Sequence, residues 1–237
     1  LLSYICRMMR FFLVGLLLFF VSGCADQETE RCATKPDVSD IRIELQFEMF
    51  QDSLANIGSK NALIKMLGRE PAMRDYIFRR SEYPDDSLFV NELYRKFTNA
   101  GIDTLLQETK RVFGDLSGLK NQFTEAFTNL RYYYPDFVPP KIQTVISGLE
   151  TDMLVSDSLI IISLDFYLGK DARYRPKYYE YLLRRYDPED VVPSCMLIFG
   201  IGDRFNKTDL RDKTVLADMV SYGKAFYFAK HMLPCVP

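Results

Sequence analysis

The stretch Ser158-Leu-Ile-Ile-Ile-Ser-Leu-Asp-Phe-Tyr-Leu-Gly-Lys-Asp171 determines most of what the sequence predicts about the fold. Within this stretch, residues 159–164 are apolar except for Ser163, and such a run is typical of a strand that is buried on both faces. We therefore expect the central strand of a sheet over residues 158–164. A second β-branched run, over residues 141–147, comes shortly before it across Gly148, and it predicts a neighbouring strand.

The remaining elements are predicted from the spacing of apolar residues. Apolar and polar residues alternate over 41–49, which indicates a half-buried strand. Helical spacing predicts helices over 61–67, 72–79, 87–100, 102–113, 115–134, 176–186, 188–199 and 208–232. The order of strand, helices, strands and helices indicates a single α+β domain over 41–237, mostly helical, with a small antiparallel or mixed sheet.

Two carboxylates follow the predicted central strand. Asp165 comes directly after it, and Asp171 closes the same loop beside Lys170. Side chains at strand ends often form binding sites. The first hypothesis is a partner contact formed by Asp165, Lys170, Asp171, Tyr174 and Arg175. A second is an envelope hydrolase that uses the carboxylates near Asp165 and Asp171. A third is that these charges only solvate a turn.

The segment over 173–186 intermixes tyrosines with basic residues. They are Tyr174, Tyr178, Tyr179, Tyr181 and Tyr186, with Arg173, Arg175, Lys177, Arg184 and Arg185. This pattern is typical of binding to single-stranded nucleic acid, of tyrosines packed along a helix, or of a protein contact surface rich in Tyr and Arg. The charge of the chain argues against nucleic acid, and the other two interpretations stay open.

The chain of 237 residues has a slightly negative net charge. It is −2 overall, and removal of Arg7 and Arg10 with an N-terminal leader would take it to about −4. Nucleic-acid-binding domains are usually basic, so no nucleic-acid partner is expected.

The first two dozen residues have the three parts of a secretory signal. Arg7 and Arg10 precede an apolar run over 11–21, which ends in Val21-Ser22-Gly23-Cys24. That run is too short to span a bilayer as a helix, which takes about 20 residues. Small residues before a cysteine make the site similar to a bacterial lipobox, where the thiol receives diacylglycerol, the chain is cut before the cysteine and the new amino group is usually acylated.

We therefore expect a signal peptide over 1–23, lipid attachment at Cys24 and a flexible polar tether over 24–40. The alternative is a buried cysteine at the end of an ordinary apolar segment.

The chain has few histidine and cysteine residues for a metal site or for nucleophilic catalysis. His231 is the single histidine, so a site made of several imidazoles is excluded, and a Ser-His-Asp triad would have to use it. Without the leader and the lipidated cysteine, Cys32, Cys195 and Cys235 remain, an odd number whose pairing stays open. No cofactor or metal site is expected.

Three segments carry a family resemblance: residues 165–186, 187–193 and 222–228. With the lipobox and the early strand, they resemble the gliding-motility lipoprotein B family (GldB). The resemblance implies a lipid-anchored lipoprotein of the bacterial cell envelope, facing the periplasm and linked to the gliding and secretion machinery, with other envelope proteins as partners and no established catalytic activity. Family members usually continue beyond the last residue here, so we expect a C-terminal truncation.

A more distant likeness is to gluzincin-like metallopeptidases. Those enzymes carry HExxH on one helix and a Glu-Gly step on the next. The corresponding stretch here, Ser194-Cys-Met-Leu-Ile-Phe199, contains neither histidine nor acid, and Tyr222-Gly223 stands at the Glu-Gly step. The likeness therefore implies a degenerate zincin-like scaffold without metal ligands.

Overall fold

A four-stranded mixed sheet lies at the centre of the computed structural model, which describes residues 36–207 and 213–233. In spatial order its strands are β1 (Phe47–Met49), β2 (Lys141–Val145), β4 (Leu159–Ser163) and β3 (Met153–Val155). Neighbouring strands β1, β2 and β4 are parallel, and β3 pairs antiparallel with β4. The predicted α+β class with a small sheet is confirmed.

The helices of the described residues are mostly those that the apolar spacing predicts. They are α1 (Gln51–Ala55), α2 (Lys60–Arg69), α3 (Asp86–Phe97), α4 (Ala100–Phe113), α5 (Ser117–Tyr133), α6 (Glu180–Leu183), α7 (Val191–Ile201) and α8 (Val215–Met232). A π-helical turn spans Met73–Ile77, and 3₁₀ turns span Arg80–Glu82, Leu164–Phe166 and Pro188–Asp190. Capping side chains set several of the starts: Ser59, Asp85 and Thr214 each accept a hydrogen bond from a first-turn amide.

Strand β4 is buried on both faces, as the apolar run predicts. Ile160 and Ile162 contribute to one core, together with residues of α5, α7 and α8. Ile161 points the other way, into a second core formed mainly by α1 to α4. Helices cover both faces of the sheet, which accounts for the apolar side chains at four of the five positions of the strand.

The first strand is shorter than predicted. Only Phe47–Met49 pairs with β2, although Gln46 adds one hydrogen bond through its carbonyl to the amide of Ile142, at 2.8 Å. The predicted alternation continues outside the paired part, since Ile43 is half-buried and Glu44 is exposed. Met49 breaks the pattern because its side chain is exposed.

The predicted helix over 176–186 is also mostly absent, and only α6 forms there. Tyr178 and Tyr186 stack with ring centroids 5.8 Å apart, and both contact Phe166. Eight residues of continuous α-helix would separate the two tyrosines by about 12 Å along the axis. The packing of these rings is therefore incompatible with the helix that the spacing suggested.

Helices α7 and α8 approach closely at Gly200. A Cβ on Gly200 would lie 2.9 Å from the carbonyl oxygen of Ala225 and 3.0 Å from its Cα. These are backbone atoms, so they can yield only if the helices separate. Gly223, in the facing helix, has no atom within 4 Å of the corresponding position.

Alanine substitutions at these two glycines are expected to have opposite effects on stability. Gly200→Ala should lower the free energy of unfolding by about 1–3 kcal/mol, because it overpacks the contact. Gly223→Ala should raise it by about 0.5–1 kcal/mol, because alanine has the higher helix propensity. Urea unfolding of both variants measures the difference, and a stabilising Gly200→Ala would contradict the close packing.

Candidate functional site

Asp165, the first of the sequence-predicted site residues, has a structural role. It is 1 % exposed and lies in the turn after β4. Its carboxylate accepts hydrogen bonds from the backbone amides of Ser147 at 3.0 Å and Leu149 at 2.7 Å. Gly148 and Leu149 have φ of 73° and 63°, so the carboxylate holds a left-handed turn at the end of β2.

The electrostatics of Asp165 follow from this position. Burial raises the pKa of Asp165 above its ordinary value, and the hydrogen bonds from the backbone amides act in the opposite direction. Both carboxylate oxygens contact the turn, since the Ser147 hydroxyl is also 3.4 Å from Oδ2.

Asp171 does not meet Asp165 at a common cavity. Asp171 and Lys170 are exposed, whereas the space between Asp165 and Arg175 is too small for a water molecule. A hydrolase needs carboxylates that converge on a substrate. The structure does not bring these two together.

Tyr174 and Arg175 both border the small space beside Asp165, but each also makes a different contact at the surface. Tyr174 lines a cleft of about 620 Å³ that is bordered by the ion pair of Lys96 and Glu150. Arg175 instead forms an ion pair with Glu180, at 3.4 Å. The five residues proposed for a partner contact therefore lie along one surface segment with a buried member, Asp165, and they do not form one pocket.

The tyrosines of residues 173–186 fall into two groups, one packed on the core and one exposed at the surface. Tyr178 and Tyr186 pack on Phe166, as expected for tyrosines that support the core. Tyr179 and Tyr181 are exposed and stack on each other, with centroids 6.0 Å apart and planes 13° apart.

A cavity of about 430 Å³ lies where β3, α7 with the segment that leads into it, and α8 meet. We call it the Asp152 cavity. Its polar lining includes Asp152, Tyr167, Tyr186 and Asp190. The hydroxyl of Tyr186 donates a hydrogen bond to Oδ2 of Asp152, at 3.1 Å. This volume is within the range of small-ligand sites, about 300–1,000 Å³.

The Asp152 cavity is lined by two half-buried carboxylates, Asp152 and Asp190, and by two exposed basic side chains, Arg185 and Lys230. Burial raises the pKa of Tyr167, and the charges of Asp152 and Asp190 raise it further. Burial also raises the pKa of Asp190, although the amide of Asp187 donates to its carboxylate at 3.2 Å and opposes the effect.

Cys195 is a fully buried thiol next to Met153, which lines this cavity. Burial, with a smaller contribution from the charge of Asp152, raises its pKa, so it stays protonated. Its Sγ is 3.8 Å from the sulfur of Met153. Cys24, Cys32 and Cys235 lie outside the described residues, as do residues 1–35, which include the predicted signal peptide.

The sequence contained only a weak signal for this cavity. Asp187-Pro-Glu-Asp190 has a recognisable local function, because Asp187 and Asp190 form a capping box at the start of the helical segment that leads into α7. Asp152 stands in a loop without periodicity. Its proximity to Tyr186 arises from the tertiary fold alone.

Helix α8 exposes a continuous apolar face, which we call the α8 face. Its members are Val215, Leu216, Met219, Val220, Tyr222, Phe226 and Tyr227. Leu216 and Met219 are 69 % and 66 % exposed. Most of the residues recur at intervals of three to four, so they share one side of the helix. Ile198 and Ile201 of α7 are also partly exposed.

The single histidine lies on the same helix. His231 is half-buried, and its Nδ1 is 2.8 Å from the carbonyl oxygen of Tyr227. Its ring also lies against that of Tyr227, with centroids 4.0 Å apart. Within residues 36–207 and 213–233, no cluster of three or more His, Cys, Asp or Glu residues has the geometry to hold a metal ion.

None of the described helices is both long enough and apolar enough to cross a membrane. The fold thus defines an α+β domain with helices on both faces of a small sheet and an exposed apolar helix. A family model described as gliding motility protein GldB matches residues 31–237.

The chain belongs to the GldB family. The family is named for a lipoprotein, which indicates that the protein is located in the cell envelope. The resemblance found in the sequence is confirmed. No curated protein and no solved structure matches the chain significantly. The expected likeness to zincin-like metallopeptidases has no support from these comparisons. Residues 194–199 lie within α7, where Cys195, Met196 and Phe199 are buried in the core.

Proposed function

We propose that this protein is a lipid-anchored lipoprotein of the cell envelope, with a periplasmic domain that binds other envelope proteins. It would act as a non-catalytic component of the gliding or secretion machinery, or of its counterpart in non-gliding relatives. The α8 face is the observation that carries the proposal. Family membership supports the location, and the lipobox-like sequence at Cys24 supports the anchor.

The energetic cost of the α8 face is the reason to assign it to a partner. Burial of one large apolar side chain contributes about 1.5–3 kcal/mol. Apolar side chains in a row along one helix therefore favour association, and contiguous exposed apolar surface is typical of interaction sites. Phe226 and Tyr227 add aromatic side chains of the kind that dominate binding energy at interfaces.

A protein partner fits this face better than a lipid surface. Helices that lie on bilayers usually carry many lysines and arginines on their polar side. Helix α8 has Lys224 and Lys230, but Asp218 lies within the same exposed region. The face therefore has little net charge to attract anionic lipid, and the anchor at Cys24 would supply membrane attachment separately.

Acidic substitutions on the α8 face test the proposal. The Leu216→Glu, Met219→Glu double variant should fold normally, because both side chains project into solvent. It should fail to restore gliding or secretion in cells that lack their own copy. Loss of two central apolar contacts is expected to weaken partner binding by about tenfold or more.

The matched control places glutamate at apolar residues exposed elsewhere. Ile64 and Leu88 are 51 % and 41 % exposed, and they lie on α2 and α3, which pack into the core on the other face of the sheet from α8. The Ile64→Glu, Leu88→Glu variant should restore function fully. Full activity of the Leu216→Glu, Met219→Glu variant would refute the assignment of the α8 face.

A further inference from the structure

The Asp152 cavity has the composition of a binding site. Tyr167 is 1 % exposed and lines the cavity, yet within the described residues its hydroxyl has no hydrogen-bond partner. Its oxygen at the wall of the cavity can therefore accept a hydrogen bond from a donor group in that space.

The polar end of the cavity favours a cation. Asp152 and Asp190 are half-buried, and the negative charges of both carboxylates contribute to the raised pKa of Tyr167. The rings of Tyr167 and Tyr186 stand edge to face, with centroids 5.3 Å apart. Carboxylates beside tyrosine rings are the combination that recognises ammonium groups, through charge-assisted hydrogen bonds and cation–π attraction.

The basic residues of the cavity do not reverse this preference. Arg185 and Lys230 line it, but both are exposed. A charge pair in bulk water interacts about four times more weakly than one at an effective dielectric constant of about 20. The half-buried carboxylates therefore determine which charge the interior accepts.

The rest of the lining is apolar and accommodates an aliphatic stem. Met153, Leu197 and Phe226 are among these residues. Phe226 also belongs to the α8 face, so a chain bound to that face would pass the mouth of the cavity. A lysine side chain combines a four-carbon stem with a terminal ammonium group, and the volume of about 430 Å³ exceeds what it needs.

We propose that the Asp152 cavity binds a lysine side chain of the partner protein, with the ammonium group at Asp152 and the stem against Met153, Leu197 and Phe226. This inference rests on the proposed function, since the partner supplies the lysine. It identifies the chemistry by which the interface selects its partner.

Saturation-transfer NMR on the full-length protein in detergent micelles tests the site. The probe is the peptide acetyl-Gly-Lys-Gly-amide, and its match is the same peptide with an acetylated lysine side chain. We expect saturation of the lysine methylene protons in the first peptide and none in the second. Equal binding of both peptides would overturn the proposal.

Amide substitutions locate the contact. Asp152→Asn keeps an oxygen that can accept from Tyr186 but removes the charge, and it should weaken the lysine peptide by about tenfold or more. Asp190→Asn should weaken it in the same direction. Asp157→Asn, at an exposed position between β3 and β4, should leave binding unchanged. Unchanged binding by both Asp152→Asn and Asp190→Asn would exclude this cavity.

The two proposals can fail separately. Leu216 and Met219 do not line the Asp152 cavity, so the Leu216→Glu, Met219→Glu variant should still bind the lysine peptide. Full gliding or secretion by that variant refutes the α8 face, whatever the peptide does. Absence of lysine binding refutes the cavity assignment and leaves the α8 face in place.

Discussion

The Cys24→Ala variant is expected to incorporate no palmitate and to leave the membrane fraction. Without the thiol there is no atom to receive diacylglycerol, and the lipoprotein processing that depends on it stops. An anchor of about two or three acyl chains is stable because each buried CH₂ contributes about 0.8 kcal/mol, whereas a single chain binds marginally. The apolar run over 11–21 is too short to replace it as a membrane-spanning helix.

Metabolic labelling with an alkyne palmitate analogue and fractionation of the cells measure the two effects together. Cys32→Ala is the matched control, because Cys32 lies in the same polar N-terminal region without small residues directly before it. It should label and fractionate as the unmodified protein does. Labelling that persists in Cys24→Ala would show that the lipid is attached elsewhere.

The Asp165→Ala variant is expected to lose about 3–5 kcal/mol of unfolding free energy. It would leave the buried amide of Ser147 and the half-buried amide of Leu149 without their acceptor, at up to about 1–3 kcal/mol each, and would add a small cavity. Because the Asp165 carboxylate links the turn after β2 to the end of β4, the whole sheet should loosen. Stability of most domains is about 5–15 kcal/mol, so this loss is a large share.

Denaturant unfolding followed by circular dichroism measures this loss. Asp171→Ala, at an exposed position of the same loop, should change stability by no more than about 0.5 kcal/mol. Comparison of the two variants also distinguishes the role of Asp165 from that of Asp171. An unfolding free energy that Asp165→Ala does not change would mean that the carboxylate is dispensable for the fold.

The central strand could be predicted because its signal is local. Residues 159–162 are apolar without alternation, and burial by helices on both faces is the usual cause of that pattern. The helices α2 to α5 were predictable for a similar reason, since each has its own apolar stripe, and α2, α3 and α4 also begin at capping side chains. Strand β3 was missed because Met153–Val155 is too short to show a period.

The role of Asp165 could not be predicted, although its position was noticed. Its hydrogen-bond partners, Ser147 and Leu149, lie in a turn that only the pairing of β2 with β4 brings near. The Asp152 cavity depends on the fold still more strongly, because β3, α7 and α8 each contribute one wall. A single sequence has no signal for such convergence.

Site-specific photo-cross-linking in intact cells tests the interaction role most directly. A photoreactive amino acid at Met219 should give one discrete adduct with an envelope protein, and Leu216→Glu should abolish it. The same amino acid at Ile64 should give none, although that position is similarly exposed. Absence of an adduct at Met219, or an identical pattern at Met219 and Ile64, would contradict the account of a tethered domain that binds its partner through α8.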